Sequence, residues 1–124
     1  MAGTIVADTL QDGAGNSTSM DNAIYGSAKA WVNFTGSSAT INGSYNISSV
    51  TRNSTGNYTI AYTTALSNSN YSVLVCGNRT AGSPTDNFSA SFWSPSTTGV
   101  SVCTAGPTSV SYYDANLVTV AIFR

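Results

Sequence analysis

Five carboxylates, two thiols and no imidazole are the chemistry available to this 124-residue chain. The carboxylates are Asp8, Asp12, Asp21, Asp86 and Asp114, and there is no Glu. Without His the usual near-neutral base is missing, so neither a Ser-His-Asp nor a Cys-His relay can be built. The five aspartates lie in separate turn-like stretches. A paired-carboxylate glycosidase would need two of them to meet in the fold. So few ionisable groups leave little to tune for catalysis, and the chain is expected not to be an enzyme. Cys76 and Cys103 fall short of a tetrahedral zinc set. Both stand in strand-like runs and are expected as small buried hydrophobes rather than as a disulfide. No metal or cofactor is expected.

Binding chemistry is better represented. Trp31 alternates with Val32 and Phe34, Trp93 follows Phe92, and Tyr112 adjoins Tyr113. One member of each adjacent pair must point away from its sheet's core. Tyr and Trp among amides suit sugar binding, and equally suit burial between subunits. Trp31, Trp93 and Tyr113 are therefore candidate contact residues. Arg79, Asp86 and Asn87 join them as polar groups of a Gly- and Pro-containing loop. Nine Asn-x-Ser/Thr triplets, at Asn16, Asn33, Asn42, Asn46, Asn53, Asn57, Asn70, Asn78 and Asn87, would be glycan acceptors in a secreted eukaryotic protein. In a chain this rich in Asn, Ser and Thr, chance accounts for them.

Charge narrows the partners. Charged residues are 7 % of the chain, against about 25 % in an average soluble protein. A formal net charge of -1 is no nucleic-acid footprint. A surface of hydroxyls and amides suits a protein packed into an assembly or working outside the cell. The opening MAGTIVADTLQDG lacks the basic and apolar regions of a secretory signal. No apolar run approaches the roughly 20 residues of a membrane span. The expectation is synthesis in the cytosol, without membrane insertion; a role outside the cell would need another route, of which release by lysis within a particle is one.

These residues must be positioned by strands. Ala30, Val32 and Phe34 share one side of a first alternating segment, Ile41, Gly43, Tyr45 and Ile47 of a second, and Tyr58, Ile60 and Tyr62 of a third. A period of two is the mark of a half-buried strand. The second segment reads as one long strand or as two broken near Ser48. YSVLVCGN, FSASFWS (ended by Pro95), VSVCT and VSYYD continue the series. NLVTVAIFR, apolar on both faces, is either a central strand or one covered by another subunit. Strands recurring every eight to twelve residues or so describe a sandwich or barrel, and no helical window is found.

The fold class is thus all-β, an antiparallel β-sandwich or jelly-roll-like barrel of about eight or nine strands. Residues 28–124 form the sandwich and residues 1–27 an extended N-terminal arm. Thr4 to Leu10 could form one strand of the arm. Gln11 to Asn22 has no apolar periodicity, and reads as a floppy tail or as an arm ordered only against neighbours. Ile5, Val6 and Leu10 are its candidate docking residues.

The runs GSAKAWVNF (Gly26 to Phe34), SYNISSVT (Ser44 to Thr51) and GNYTIAYTTAL (Gly56 to Leu66), continued by Asn70-Tyr71, carry a family resemblance. They resemble a small module of tailed-bacteriophage virion proteins, found in tail-fibre ends and short virion proteins of marine and cyanobacterial phages. GTIVADTLQDGAGN resembles the segment that often precedes it. The resemblance stops short of Val73 and brings no catalytic or metal residue with it. It implies a non-enzymatic virion protein, a homotrimer that touches other virion proteins (fibre, tail or major capsid protein). Distal loops around Arg79 to Asn87, Ser94 to Gly99 and Ala105 to Ser109 would contact a host surface glycan. Such modules hang from a long shaft that this chain does not carry. A separate tip plugged onto another fibre through residues 2–27, or a knob or cement protein on the capsid, are both expected from it.

Overall fold

The computed structural model describes residues 3–78, 89–106 and 111–124. The arm is more structured than its composition suggests. β1 (Thr9–Gln11) and β2 (Ser17–Ser19) pair antiparallel, and α1 (Met20–Gly26) follows directly. Three local devices explain this. The Asp12 carboxylate accepts the backbone N–H groups of Ala14 and Asn16, both at 2.9 Å, and the Asn16 side-chain amide at 2.8 Å. This Asx-type turn closes the hairpin, with Gly15 in the left-handed region. The Ser19 hydroxyl then caps α1 by accepting the Asn22 N–H at 3.2 Å, and Asp21 sits in the helix's first turn. The strand expected over Thr4 to Leu10 is confined to its end, and the expectation of no helix is corrected by α1.

The sandwich follows. Its strands are β3 (Ala28–Thr35), β4 (Thr40–Tyr45), β5 (Ile47–Ser54), β6 (Asn57–Tyr62), β7 (Ser72–Asn78), β8 (Ser89–Ser96), β9 (Gly99–Ala105) and β10 (Leu117–Phe123). They form two four-stranded sheets, ordered β4-β3-β10-β7 and β5-β6-β9-β8. Every strand pair in them is antiparallel. The all-β sandwich is thus the fold, with eight strands among the described residues in its two layers. β10 is an interior strand, lying between β3 and β7, with Val118, Val120 and Ile122 buried and Thr119 exposed on its other face.

The core is the set of alternating side chains that the sequence marks. Ala30, Val32 and Phe34 of β3 meet Tyr58, Ile60 and Tyr62 of β6, Val100 and Val102 of β9, and Val118, Val120 and Ile122 of β10. Phe34 and Tyr58 pack edge to face with ring centroids 5.0 Å apart, a geometry that contributes beyond simple area burial. The second segment departs from its simple alternation. A register shift opposite Asn33 and Phe34 places Ile41 opposite Phe34 but Gly43 opposite Asn33, so Ile41 and Gly43 do not share a face. The run VSYYD forms no strand among its described residues; Tyr112 makes only an isolated bridge to Ala105. β8 continues through Pro95 to Ser96. As an edge strand it tolerates a residue without an N–H.

The long second segment breaks at Asn46, two residues before Ser48, and the break moves the chain from one sheet to the other. Asn46 has φ 56°, a left-handed conformation that Asn tolerates better than other side chains. Its side-chain amide donates to the carbonyls of Lys29 and Thr64, both at 3.1 Å, and its carbonyl oxygen accepts the Thr64 N–H at 2.8 Å. One side chain therefore ties the start of β3 to the segment that follows β6, joining the two sheets. Asn46→Ala should destabilise the sandwich by roughly 1–3 kcal/mol, the cost of leaving such groups unpaired. Asn46→Gly keeps the backbone conformation and should fall between it and wild type in thermal melts. An alanine variant melting with wild type would show the corner to be dispensable.

Candidate functional site

Strand directions divide the sandwich into two ends. At one end lie the arm, the Asn46 corner, residues 63–71, the β8–β9 turn and Arg124; Tyr62 N–H donates to Thr98 O, and Leu66 N–H to Thr97 O. At the other lie the β3–β4 and β5–β6 turns and the residues that anchor two further connections, Asn78 with Ser89 and Gly106 with Ser111.

That second end is fastened by Asp114. Its Oδ1 accepts the Gly56 N–H at 2.8 Å, the Tyr58 hydroxyl at 3.0 Å and Arg52 Nε at 3.0 Å. Its Oδ2 accepts Arg52 Nη2 at 2.6 Å, and the same Nη2 donates to Thr55 Oγ1 at 3.1 Å. The side chain keeps only 19 % of its surface exposed. Neighbouring backbone locks on as well. Tyr113 N–H donates to Thr104 O, Gly36 N–H to Ala115 O and Asn116 N–H to Asn78 O; Thr104 Oγ1 donates to Tyr113 O at 2.5 Å. Two glycines permit the approach. A Cβ on Gly56, whose φ is +64°, would lie 2.4 Å from Thr104 O, and one on Gly36 would lie 2.2 Å from Ala115 O.

The electrostatics describe an anchor rather than an acid–base site. Hydrogen bonding by the Arg52 guanidinium holds the Asp114 carboxyl below the usual range, helped by the Gly56 N–H and the Tyr58 hydroxyl. Burial pushes the Tyr58 phenol up to about 12. Neither group titrates near neutrality. What the cluster does is hold Tyr112 and Tyr113, both partly exposed, at the end of the sandwich. Asp114 was legible only as one of five scattered aspartates; its pairing with Arg52, 62 positions away, has no local signal.

The candidate contact residues separate. Tyr113 belongs to this end. Trp31 points outward from the β4-β3-β10-β7 sheet, with its indole lying over Gly43. Trp93 pairs with Ser101 on the other sheet and faces outward there. The two tryptophans, 42 % and 38 % exposed, therefore do not form one site. Arg79, Asp86 and Asn87 lie outside the described residues. Ser94 to Gly99, expected among the distal loops, belongs to the arm end, because β8 and β9 turn there. Cys103 is buried, with Ser91 Oγ 3.0 Å from its sulfur, whereas Cys76 is exposed, which corrects the expectation for that thiol. Both cysteines are free. Among the described residues, no three potential metal ligands cluster.

A second feature is a groove of about 960 Å³ beside the β7 and β8 edges. Trp31 and Asn33 of β3, Leu74 and Cys76 of β7, Phe92 of β8 and Ala121 of β10 are among its walls, and none of its described lining residues is charged. In register, Trp31, Ala121 and Leu74 form one row across the sheet, and Asn33, Thr119 and Cys76 the next.

Because folding lowers the Asp114 pKa below 3.8, its contribution to stability is complete above that value and is lost as pH falls through the lowered one. The melting-temperature gap between wild type and Asp114→Asn should be widest near neutrality and close in acid. Asp114→Ala should cost roughly 1–3 kcal/mol at neutral pH, because the buried Tyr58 hydroxyl loses its acceptor. A gap that does not change with pH would mean the charge contributes nothing. Comparisons with protein families, with curated proteins and with solved structures found no match.

Proposed function

We propose that the chain is a non-enzymatic structural protein of a tailed-bacteriophage particle, an appendage or fibre-tip module. Residues 1–27 attach it to the assembly, and the opposite end of the sandwich meets a glycan on the host surface. The single observation that carries the reading is this polarity. The arm leaves one end of the sandwich, while Tyr112, Tyr113 and the anchors of the 79–88 and 107–110 segments occupy the other. Two neighbouring aromatic side chains on a backbone fixed by Asp114 suit stacking against sugar rings, where little ordering is left for binding to do. The virion placement rests on the resemblance of the first part of the chain to phage modules. The surface, poor in charge and rich in amides and hydroxyls, fits both halves of the reading.

Capsid decoration is the second reading. The outer face of the β4-β3-β10-β7 sheet supports it, since Trp31, Tyr45 and Leu74 are all exposed there and such a face suits burial against a shell protein.

Purified protein should bind the polysaccharide of the host cell. Tyr112→Ala and Tyr113→Ala should each weaken that binding about tenfold or more, the scale of losing an aromatic hot spot, while melting close to wild type. Removing residues 2–22 should leave a cooperatively melting sandwich that no longer attaches to particles. Absence of binding to host cells and polysaccharide would sink the attachment reading. Heads that release DNA at a lower temperature without the protein would then favour decoration.

A further inference from the structure

The arm is an ordered unit without a core of its own. Ile5, Val6, Leu10, Ile24 and Tyr25 are all exposed, and no residue of α1 is buried. The sandwich presents the complementary defect, a largely apolar groove beside β7 and β8 with no charged residue among its described walls. Formal charge divides between the same two parts. Residues 1–27 carry Asp8, Asp12 and Asp21 and no cation, formally −3. Residues 28–124 carry Lys29, Arg52, Arg79 and Arg124 against Asp86 and Asp114, formally +2. Two of these cations lie at the arm end of the groove's sheet. Lys29 precedes Trp31 by two positions on β3, and Arg124 follows Phe123, which pairs with Ala28.

We infer that the arm of one copy seats in the groove of a second copy. Its apolar side chains cover Trp31, Leu74 and Ala121, and its carboxylates approach Lys29 and Arg124. No described arm residue lines the groove of its own chain. Only Ser27 separates α1 from β3, and Lys29 Nζ donates to Ile24 O and to Ser27 Oγ, fixing the direction in which the arm leaves. Residues 3–26 also match the roughly 20–30 residues that each partner contributes to a standard interface. An arm-into-groove contact is heterologous: each copy gives one surface and receives with another, so copies close into a ring or continue as a chain. This inference stands apart from the phage and glycan readings. Where both hold, the arm-linked assembly is what engages the particle.

The test uses purified full-length protein, without phage or polysaccharide. Wild type should run in sedimentation and light scattering as a multiple of 12.8 kDa. The double variant Leu10→Asp, Ile24→Asp, altered in the arm, and Ala121→Arg, altered in the groove, should each fall to single-chain mass while melting cooperatively. Cys76 reports on the groove directly. Its alkylation by iodoacetamide should be slow in wild type and fast in both variants, with buried Cys103 slow throughout. A wild type of single-chain mass overturns the inference; if Cys76 is nevertheless protected in it, the arm folds back on its own sandwich. Variants that keep the multiple mass, or a Cys76 equally reactive in all three proteins, would place the contact on another face.

Discussion

The hydroxyl of Tyr58 is the polar group on which the distal half of this sandwich depends. The ring is fully buried in the centre of the core, against Phe34. A phenol at that depth needs a partner, because an unpaired hydroxyl would forfeit much of what burial of the ring contributes. Asp114 supplies the acceptor, and a carboxylate drawn inward needs charge and donors of its own. Arg52 and the Gly56 N–H provide them. Each requirement recruits the next, so that one buried oxygen fixes the β5–β6 turn, the segment before β10 and, through Ala115, the β3–β4 turn. The backbone at Tyr112 and Tyr113 is held in place as a consequence.

Asn46 has a comparable role at the opposite end. A sandwich whose consecutive strands belong to different sheets must turn a corner, and the carbonyls at that corner need donors. A side-chain amide with both donor and acceptor, in a residue that accepts positive φ, meets the need at a single position. Both ends are therefore fastened by polar side chains bound to backbone, whereas the apolar contacts run through the middle. With so few charges in the chain, one ion pair, Arg52–Asp114, serves the far end and a neutral amide serves the corner.

The sequence is informative where a physical signal is local. Alternation marks Ala30, Val32 and Phe34, and Tyr58, Ile60 and Tyr62, and all six are core. The doubly apolar last segment marks a central strand. Signals fail where the determinant is remote or brief. α1 has seven residues, too short to show a helical period, and its signature is the Ser19 cap rather than a stripe. The Asp12 to Asn16 turn is hidden by composition, since the Gly, Asn and Ser that suggest disorder also build an Asx turn. VSYYD alternates like a strand, yet Asp114 is recruited to Tyr58 and holds the segment out of the ladder. Trp31 and Trp93 both read as outward, but which sheet each belongs to, and hence that they point apart, depends on pairings between residues distant in the chain.

Charge placement gives the molecule a direction that neither its low total charge nor its fold class conveys. An acidic arm with exposed apolar groups leaves the end where Lys29 and Arg124 stand. At the far end Arg52 is neutralised by Asp114, and among the described residues the surface there is aromatic, amide and hydroxyl. In water a single exposed charge pair contributes little, so this asymmetry is better suited to orienting contacts than to holding the fold together. Its effect depends on ionic strength, because interactions between exposed charges are screened within about 8–10 Å at physiological salt. Apolar burial must then supply the strength of any contact the arm makes, and charge its register. In the proposed attachment, the sticky, signed end is the one that is mounted and the aromatic end the one that is presented.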